Sequence, residues 1–219
     1  MDILIFSDTH LGPRFEEKKF NFLKHRIQQA DTVIINGDFW EGYLYSFDAF
    51  LNSAWKHLFP YLKKKDTLYL YGNHDKKISS TEKVNLFSNR QGDRYVHKLN
   101  GHTLIFEHGN RLMNTHDEKI LRNRKVELAT KAWDNAERFT TRRLGKKWTK
   151  ALLSPVNMIL RRRLKKELKP GEIYVCGHTH LAEFDIPRQF INSGIVRHGL
   201  AQYLVINGEK IEAKEEWYE

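Results

Sequence analysis

A single cysteine, Cys176, among 219 residues excludes an internal disulfide, so the fold does not require an oxidising compartment. No apolar run approaches the ~18 residues of a membrane-spanning helix, because acids, bases or turn residues interrupt every one. There is no internal repeat, no low-complexity tract and no Pro-rich linker, with only five prolines in the chain. Met1 to Asp8 lack the basic start and cleavage site of a secretory signal. A cytoplasmic protein is therefore expected, touching a membrane only peripherally at its inner, anionic face. What the chain does have is 40% hydrophobic and 12% aromatic residues, enough for a real core. At ~150 residues per domain, its length implies one domain over residues 1–219 with an insertion.

The formal charge is +10, and it is unevenly placed. Between Arg111 and Pro170, 18 Lys and Arg face 6 Asp and Glu, while the remainder of the chain has 19 against 21. A local excess of this kind points to a polyanionic partner: nucleic acid, phospholipid surface or phosphorylated substrate.

Strand and helix patterns alternate through the first third. Asp2 to Phe6, Thr32 to Asn36 and Thr67 to Tyr71 read as strands, and Phe15 to Gln29 and Ser46 to Lys65 as helices. This alternation predicts an α/β fold with buried, parallel strands at its start. Asn100-Gly101 and Asn207-Gly208 each join two β-rich runs and predict hairpins. Thr115 to Lys169 has helical periodicity, with Leu121, Leu128, Trp133 and Phe139 among charges and Pro155 following a candidate cap, Ser154. Residues 111–170 thus read as a basic helical insertion.

Five clusters of metal-ligand residue types each follow an apolar run. They are Asp8-x-His10, Gly37-Asp38, Gly72-Asn73-His74-Asp75, His108-Gly109 and Gly177-His178-Thr179-His180. Strand ends of this kind form the binding crevice of open α/β sheets. In extended backbone, residues two apart point the same way, so Asp8 with His10, and His178 with His180, are each expected to reach one site. Imidazole, carboxylate and amide oxygen together suit Mn²⁺, Fe²⁺, Zn²⁺ or Ni²⁺, Mn²⁺ foremost. Asp8, His10, Asp38, Asn73, His108, His178 and His180 are too many for one tetrahedral ion and about right for two sharing a carboxylate. Two ions ~3.5–4 Å apart generate a bridging hydroxide at neutral pH and clamp an in-line displacement at phosphorus. A phosphodiester or pyrophosphate is the natural substrate.

The motifs D-x-H, G-D-x-x-E, G-N-H-D, H-G and G-H-T-H, in this order, resemble the calcineurin-like metallophosphoesterases. The resemblance implies a two-sheet β-sandwich flanked by helices. It also implies one metal on Asp8, His10, Asp38 and His180 and another on Asp38, Asn73, His108 and His178, with Asp38 bridging. His74 would steady the phosphoryl oxygens or protonate the leaving oxygen, oriented by Glu41. Within the family the chain looks most like the UDP-2,3-diacylglucosamine hydrolase branch, on Ser7 to Gly12, Gly37 to Glu41 and the basic insertion. That branch typically has Arg where this chain has His74, a residue more usual in broad phosphodiesterases and in double-strand-break-repair nucleases.

The insertion admits three uses. Ser154 to Leu168 is amphipathic, with Val156, Ile159, Leu160, Leu164 and Leu168 on one face and Arg161, Arg162, Lys165 and Lys166 largely off it. Such a helix suits an anionic membrane, a lid whose arginines meet substrate phosphates, or simple packing with a solvated outer face. Arg122, Arg124 and Lys125 equally suit a nucleic acid backbone. Alternatives to a hydrolase of a nucleotide-linked lipid are thus a metal-dependent nuclease and, in another class, a non-catalytic interaction module. Among the remaining histidines, His198 is the least secure as a plain surface or core residue. Trp40 and Tyr43 beside Asp38 are candidates for the site lining or for core.

Overall fold

The computed structural model describes residues 2–113, 122–144 and 146–218. Twelve strands among these form two sheets. The first contains β1 (Asp2–Phe6), β2 (Thr32–Asn36), β3 (Leu68–Leu70), β4 (Arg90–Gly92), β10 (Val196–Arg197), β11 (Leu200–Asn207) and β12 (Lys210–Trp217). Its strands β1 to β4 run parallel in sequence order, and β11 closes against β1 antiparallel. The second contains β5 (Tyr95–Leu99), β6 (His102–Phe106), β7 (Glu172–Cys176), β8 (Glu183–Asp185) and β9 (Phe190–Asn192), in the order 5-6-7-9-8.

Period-two alternation explains how the layers stack. Ile3, Ile5, Ile34, Leu68 and Leu70 of the first sheet meet Leu104, Phe106, Ile173, Val175 and Ile191 of the second, forming a core between the sheets. Leu4, Phe6, Val33 and Ile35 point the other way, onto a helical layer. That layer consists of α1 (Glu17–Gln29), α2 (Phe47–Asn52), a 3₁₀ turn over Ala54–Leu58 and α3 (Phe59–Lys63). On the far side, Ile105, Tyr174, Cys176 and Phe190 pack against Leu112 of α4 (Asn110–Met113) and Leu160 and Leu164 of α6 (Lys146–Leu164). This is the two-sheet β-sandwich flanked by helices, with both faces of each sheet's central strands covered. Truncating a fully buried residue such as Ile5 is expected to cost about 2–5 kcal/mol.

Both Asn-Gly pairs turn hairpins as expected: β5 pairs β6 across Asn100-Gly101, and β11 pairs β12 across Asn207-Gly208. The single helix expected over Ser46 to Lys65 is instead three short pieces. Ser53 has extended backbone, its Oγ accepts the Trp55 N–H at 3.3 Å, and Pro60 lies in the first turn of the next piece. Ser154 does not cap a helix either: α6 runs through Pro155, and the Ser154 hydroxyl bonds back to the Lys150 carbonyl.

The insertion is helical where described, with α5 (Arg124–Phe139), a π-helical turn over Thr140–Leu144, and α6. Its α5 inverts the expected pattern. Leu128, Trp133 and Phe139 are more than half exposed, whereas Glu137 is the residue of α5 that is buried. Leu121, His116 and the other residues of 114–121 lie outside the described residues.

Candidate metal centre

The parallel strands of both sheets end together, and the five clusters follow those ends. Asp8 and His10 follow β1, Asp38 follows β2, Asn73 and His74 follow β3, His108 follows β6, and His178 and His180 follow β7. The backbone there is not extended, which corrects the expectation of simple alternation. Asp8, His10, Asp38, His178 and His180 have φ of 49°, 42°, 53°, 67° and 60°, in the left-handed region. Asp8 and His10 still converge, with His10 Nε2 3.8 Å from Asp8 Oδ1, but through turned rather than extended backbone. His180 turns its Nε2 to Asp8 Oδ1 at 3.2 Å, but His178 turns its Nδ1 to Asn73 Oδ1 at 2.8 Å. Non-glycine residues in this conformation are strained and persist where the surroundings hold them.

The holding contacts are visible. Asp75 accepts the N–H groups of Asp38 at 3.0 Å, Phe39 at 2.6 Å and Gly72 at 2.7 Å, fixing the turn that carries Asp38. The ammonium of Lys19, buried on the inner face of α1, donates to the Thr9 carbonyl between Asp8 and His10, and burial draws its pKa down to about 8. The Asp8 carboxylate accepts the His178 N–H at 3.0 Å, joining the two sheets. Gly177 makes this approach possible: a Cβ there would lie 2.2 Å from Asp8 Oδ2. At Gly72 a Cβ would lie 2.2 Å from Asp38 Oδ1.

Side-chain geometry then sorts the histidines. His10 donates from Nδ1 to Glu41 Oε2 at 2.8 Å, His180 donates from Nδ1 to Glu137 Oε1, and His108 donates from Nδ1 to the Asn36 carbonyl at 2.9 Å. These partners assign the tautomer, leaving three Nε2 lone pairs aimed into the centre. His10 Nε2 and His180 Nε2 are 3.2 Å apart. His108 Nε2 is buried without a hydrogen-bond partner, 3.2 Å from Asp38 Oδ2. Three sets of donor atoms converge within 4.8 Å among the described residues: Asp8 with His10 and His180, Asp8 with Asp38 and His108, and, beside them, His10 with Glu41 and His74. Three inward imidazole nitrogens beside two carboxylates make a donor set that fits divalent ions, which would displace protons held there.

Electrostatics agree with this. Burial opposes the charge on Asp38, yet His108 and His74 beside it hold its carboxyl far below the usual range. Burial likewise favours neutral rings at His108 and His180. Asp38 and Asp8 nevertheless raise His108 to about 10, and Glu137 with Asp8 raises His180 to about 10. His178, buried and next to His108, is lowered to about 4.

His74 lies apart from the lone-pair cluster. It donates from Nδ1 to Glu41 Oε1 at 2.6 Å, its ring edge meets His10, and Tyr43 packs against it with centroids 4.3 Å apart. Burial lowers its proton affinity, but Glu41 and Asp38 outweigh that and raise it. Trp40 is core, stacked on Phe50. A cavity of about 170 Å³ opens over the centre, lined by His74, Asn73, His178 and Arg197 and, from α5, by Thr130 and Trp133.

The four arginines expected at a substrate are elsewhere. Arg161 pairs with Glu183 and lies over the Phe190 ring, and Arg162 is exposed on α6. Arg122 and Arg124 flank a separate exposed depression with Leu128. Conversely, Glu137 and Arg197, which the sequence did not mark, form with His198 a buried group behind His180. The one available signal was His198-Gly199, which repeats the His108-Gly109 pattern.

The sequence model of the family described as calcineurin-like phosphoesterase matches residues 1–182. No curated protein sequence matches the chain. Among solved structures, YfcE, a phosphoesterase from E. coli, is similar at 14% identity over 100% of both chains, with a TM-score of 0.48. A single mutant of Vps29 from Entamoeba histolytica is similar at 13% identity over 100% of both chains, with a TM-score of 0.46. A conserved uncharacterized protein from Streptococcus pneumoniae TIGR4 is similar at 14% identity, over 99% of this chain and 89% of the other, with a TM-score of 0.43.

Proposed function

Because the chain belongs to the calcineurin-like phosphoesterase family, we propose that it is a hydrolase of phosphodiester or pyrophosphate bonds that works with two divalent ions, Mn²⁺ foremost. Asp8, His10, Asp38 and His180 would hold one ion, and Asp38, Asn73, His108 and His178 the other. The observation that carries this is the 3.2 Å approach of His10 Nε2 to His180 Nε2, each ring locked from behind by a glutamate. Bound ions would supply Lewis acidity at the phosphoryl group and lower the pKa of attacking water.

The chain's own groups do the rest. Glu41 holds His74 through Nδ1, so the other ring nitrogen serves the leaving oxygen, and the proton affinity raised by Glu41 and Asp38 against burial suits it to carry the proton it donates. The His74 backbone N–H donates to Asp38 Oδ1 at 2.9 Å, setting the ring's place relative to the shared carboxylate. Thr130 and Trp133 of α5 line one side of the cavity over these groups.

For substrate, we propose a nucleotide-linked lipid such as UDP-2,3-diacylglucosamine. Exposed Leu128, Trp133 and Phe139 on α5, with Arg122 and Arg124 at its start, support an apolar tail and an anionic headgroup or membrane surface meeting the insertion. The test is hydrolysis by chelator-stripped protein with Mn²⁺ restored, given bis(p-nitrophenyl) phosphate, UDP-diacylglucosamine and single-stranded DNA in parallel. Mn²⁺-dependent turnover of the lipid nucleotide is expected. Cleavage of DNA instead would establish the nuclease, and bound metal with no turnover on any substrate would favour the non-catalytic module.

A further inference from the structure

The helical insertion meets the metal centre through one buried carboxylate. Glu137 projects from the inner side of α5, where Oε1 accepts from His180 Nδ1 and Oε2 accepts from Arg197 Nη1 at 2.6 Å and His198 Nε2 at 2.9 Å. One turn earlier, Asp134 takes the other Arg197 nitrogen at 2.5 Å. With Thr130 and Trp133 over the cavity, positions 130, 133, 134 and 137 follow the i, i+3, i+4, i+7 spacing of one helix face. That face is polar. The apolar residues Leu128, Trp133 and Phe139 are exposed, and Glu137 is the buried residue of the helix. Hydrophobic burial therefore contributes little to docking α5, and the Glu137 and Asp134 contacts carry most of it.

Helix α6 adds a second hold on the same turn. Asn157, fully buried, accepts from Thr179 Oγ1 at 2.5 Å and donates to the Leu181 carbonyl at 3.1 Å. Both insertion helices thus grip Gly177 to Leu181, the segment that carries His178 and His180.

We propose that Glu137 is a positioning residue for His180, and that it couples docking of α5 to retention of the ion on the Asp8, His10 and His180 side. This rests on the metal-dependent reading above. A buried carboxylate on the far nitrogen of a ligating imidazole fixes the ring and raises its basicity, and loss of such a partner typically weakens metal binding 10–100-fold. Here the partner rides on an element held by few other buried contacts. When α5 lifts, His180 loses its orienting acceptor, and by linkage an ion that draws on His180 favours the docked helix. Glu41, on the loop after β2 and bonded through its N–H to the Leu11 carbonyl, serves His10 without depending on the insertion. The asymmetry predicts that the two ions differ in how they respond to the insertion.

Mn²⁺ titration of the chelator-stripped full chain, followed by elemental analysis and electron paramagnetic resonance, tests this. Wild type should take up two ions and show a coupled Mn²⁺ pair. E137Q should bind one ion normally and the other 10–100-fold more weakly, giving a mononuclear Mn²⁺ spectrum at ion concentrations that fill the wild type. A general fold defect would weaken both ions together, and two ions bound at wild-type affinity by E137Q would equally overturn the proposal. The second measurement uses wild type alone: hydrogen exchange across Arg124 to Phe139 should slow when Mn²⁺ is added. Exchange in α5 indifferent to Mn²⁺, in a protein shown to bind two ions, overturns the coupling. Failure of wild type to bind any divalent ion would overturn the proposed function, and this inference with it.

Discussion

Glu41 holds His74 by a 2.6 Å contact from Oε1 to Nδ1, and the same carboxylate holds His10 through its other oxygen at 2.8 Å. One buried group thus serves both the proposed leaving-group histidine and a metal-ligand candidate, so the two histidines should respond differently to mutation. His74→Ala is expected to lower kcat by roughly 10²–10⁴-fold, the usual worth of general acid catalysis, with both ions still bound. Glu41→Gln should lower kcat and weaken metal binding as well, because His10 loses its orienting acceptor. Steady-state kinetics with metal analysis of each variant checks this. A His74→Ala enzyme with normal turnover would remove His74 from the mechanism.

Asp38 sits between the two donor sets. Its Oδ2 lies 3.2 Å from His108 Nε2 and 3.6 Å from His10 Nε2. Asp38→Ala should therefore abolish binding of both ions, whereas Asn73→Ala should affect only the ion on the His108 and His178 side. Metal content after gel filtration distinguishes them, and an Asp38→Ala protein retaining one ion at wild-type affinity would contradict a shared carboxylate.

The convergence of the candidate ligands was legible because each is local to a strand end: the apolar runs of β1, β2, β3, β6 and β7 mark where Asp8, Asp38, Asn73, His108 and His178 follow. Hairpins were legible for the same reason, since Asn100 and Gly101, with φ of 46° and 76°, take the left-handed turn that this dipeptide favours. Three features were not legible. The left-handed backbone at Asp8 and His10 is held by Lys19 and His178, and that at Asp38 by Asp75, all from other segments. Glu137 and His180 are 43 residues apart, and nothing local marks a buried glutamate in a helix rich in charge. The short strands β8 and β9 and the two-residue β10 exist by pairing with neighbours rather than by their own pattern.

Arg161 and Arg162 looked equivalent in sequence but differ in the fold, and this moves the test of the insertion surface. Arg161 is tied to Glu183, so its reversal should destabilise the protein and reduce turnover of every substrate alike. Arg122 and Arg124 are exposed beside Leu128. Joint reversal of these two to Glu should weaken binding to anionic vesicles or to a lipid-linked substrate and reduce its salt sensitivity, while turnover of bis(p-nitrophenyl) phosphate stays within twofold or so. Vesicle co-sedimentation at two salt concentrations, paired with the chromogenic assay, reads both effects. Unchanged vesicle and lipid binding would remove this surface from substrate recognition.

The metal-free protein should lose stability as pH rises above neutrality, contrary to what acid-sensitive carboxylates alone would give. Burial works against protonated rings at His108 and His180, but Asp38, Asp8 and Glu137 raise both from 6.5 to about 10. A base that holds its proton more tightly folded than unfolded stabilises the fold fully below 6.5, and that stability is lost as pH rises through about 10. Lys19 acts in the opposite sense, since burial lowers its pKa from 10.5 to about 8, so its contribution recovers only above about 8. His178, at about 4 when folded against 6.5 unfolded, adds a single opposing contribution that fades just above pH 6.5, and Asp75, at about 6 when folded, adds a small one of the same sign as His108 and His180. Between pH 6.5 and 8 the histidines thus set the slope, and Tm of chelator-stripped protein should fall across that interval. Adding Mn²⁺ should reverse the slope, because ligation needs neutral imidazoles and competes with the same protons. Scanning fluorimetry at half-unit pH steps, with and without Mn²⁺, gives both curves. A metal-free Tm that rises from pH 6.5 to 8 would show that the carboxylates do not hold protons on His108 and His180 once the ions are gone.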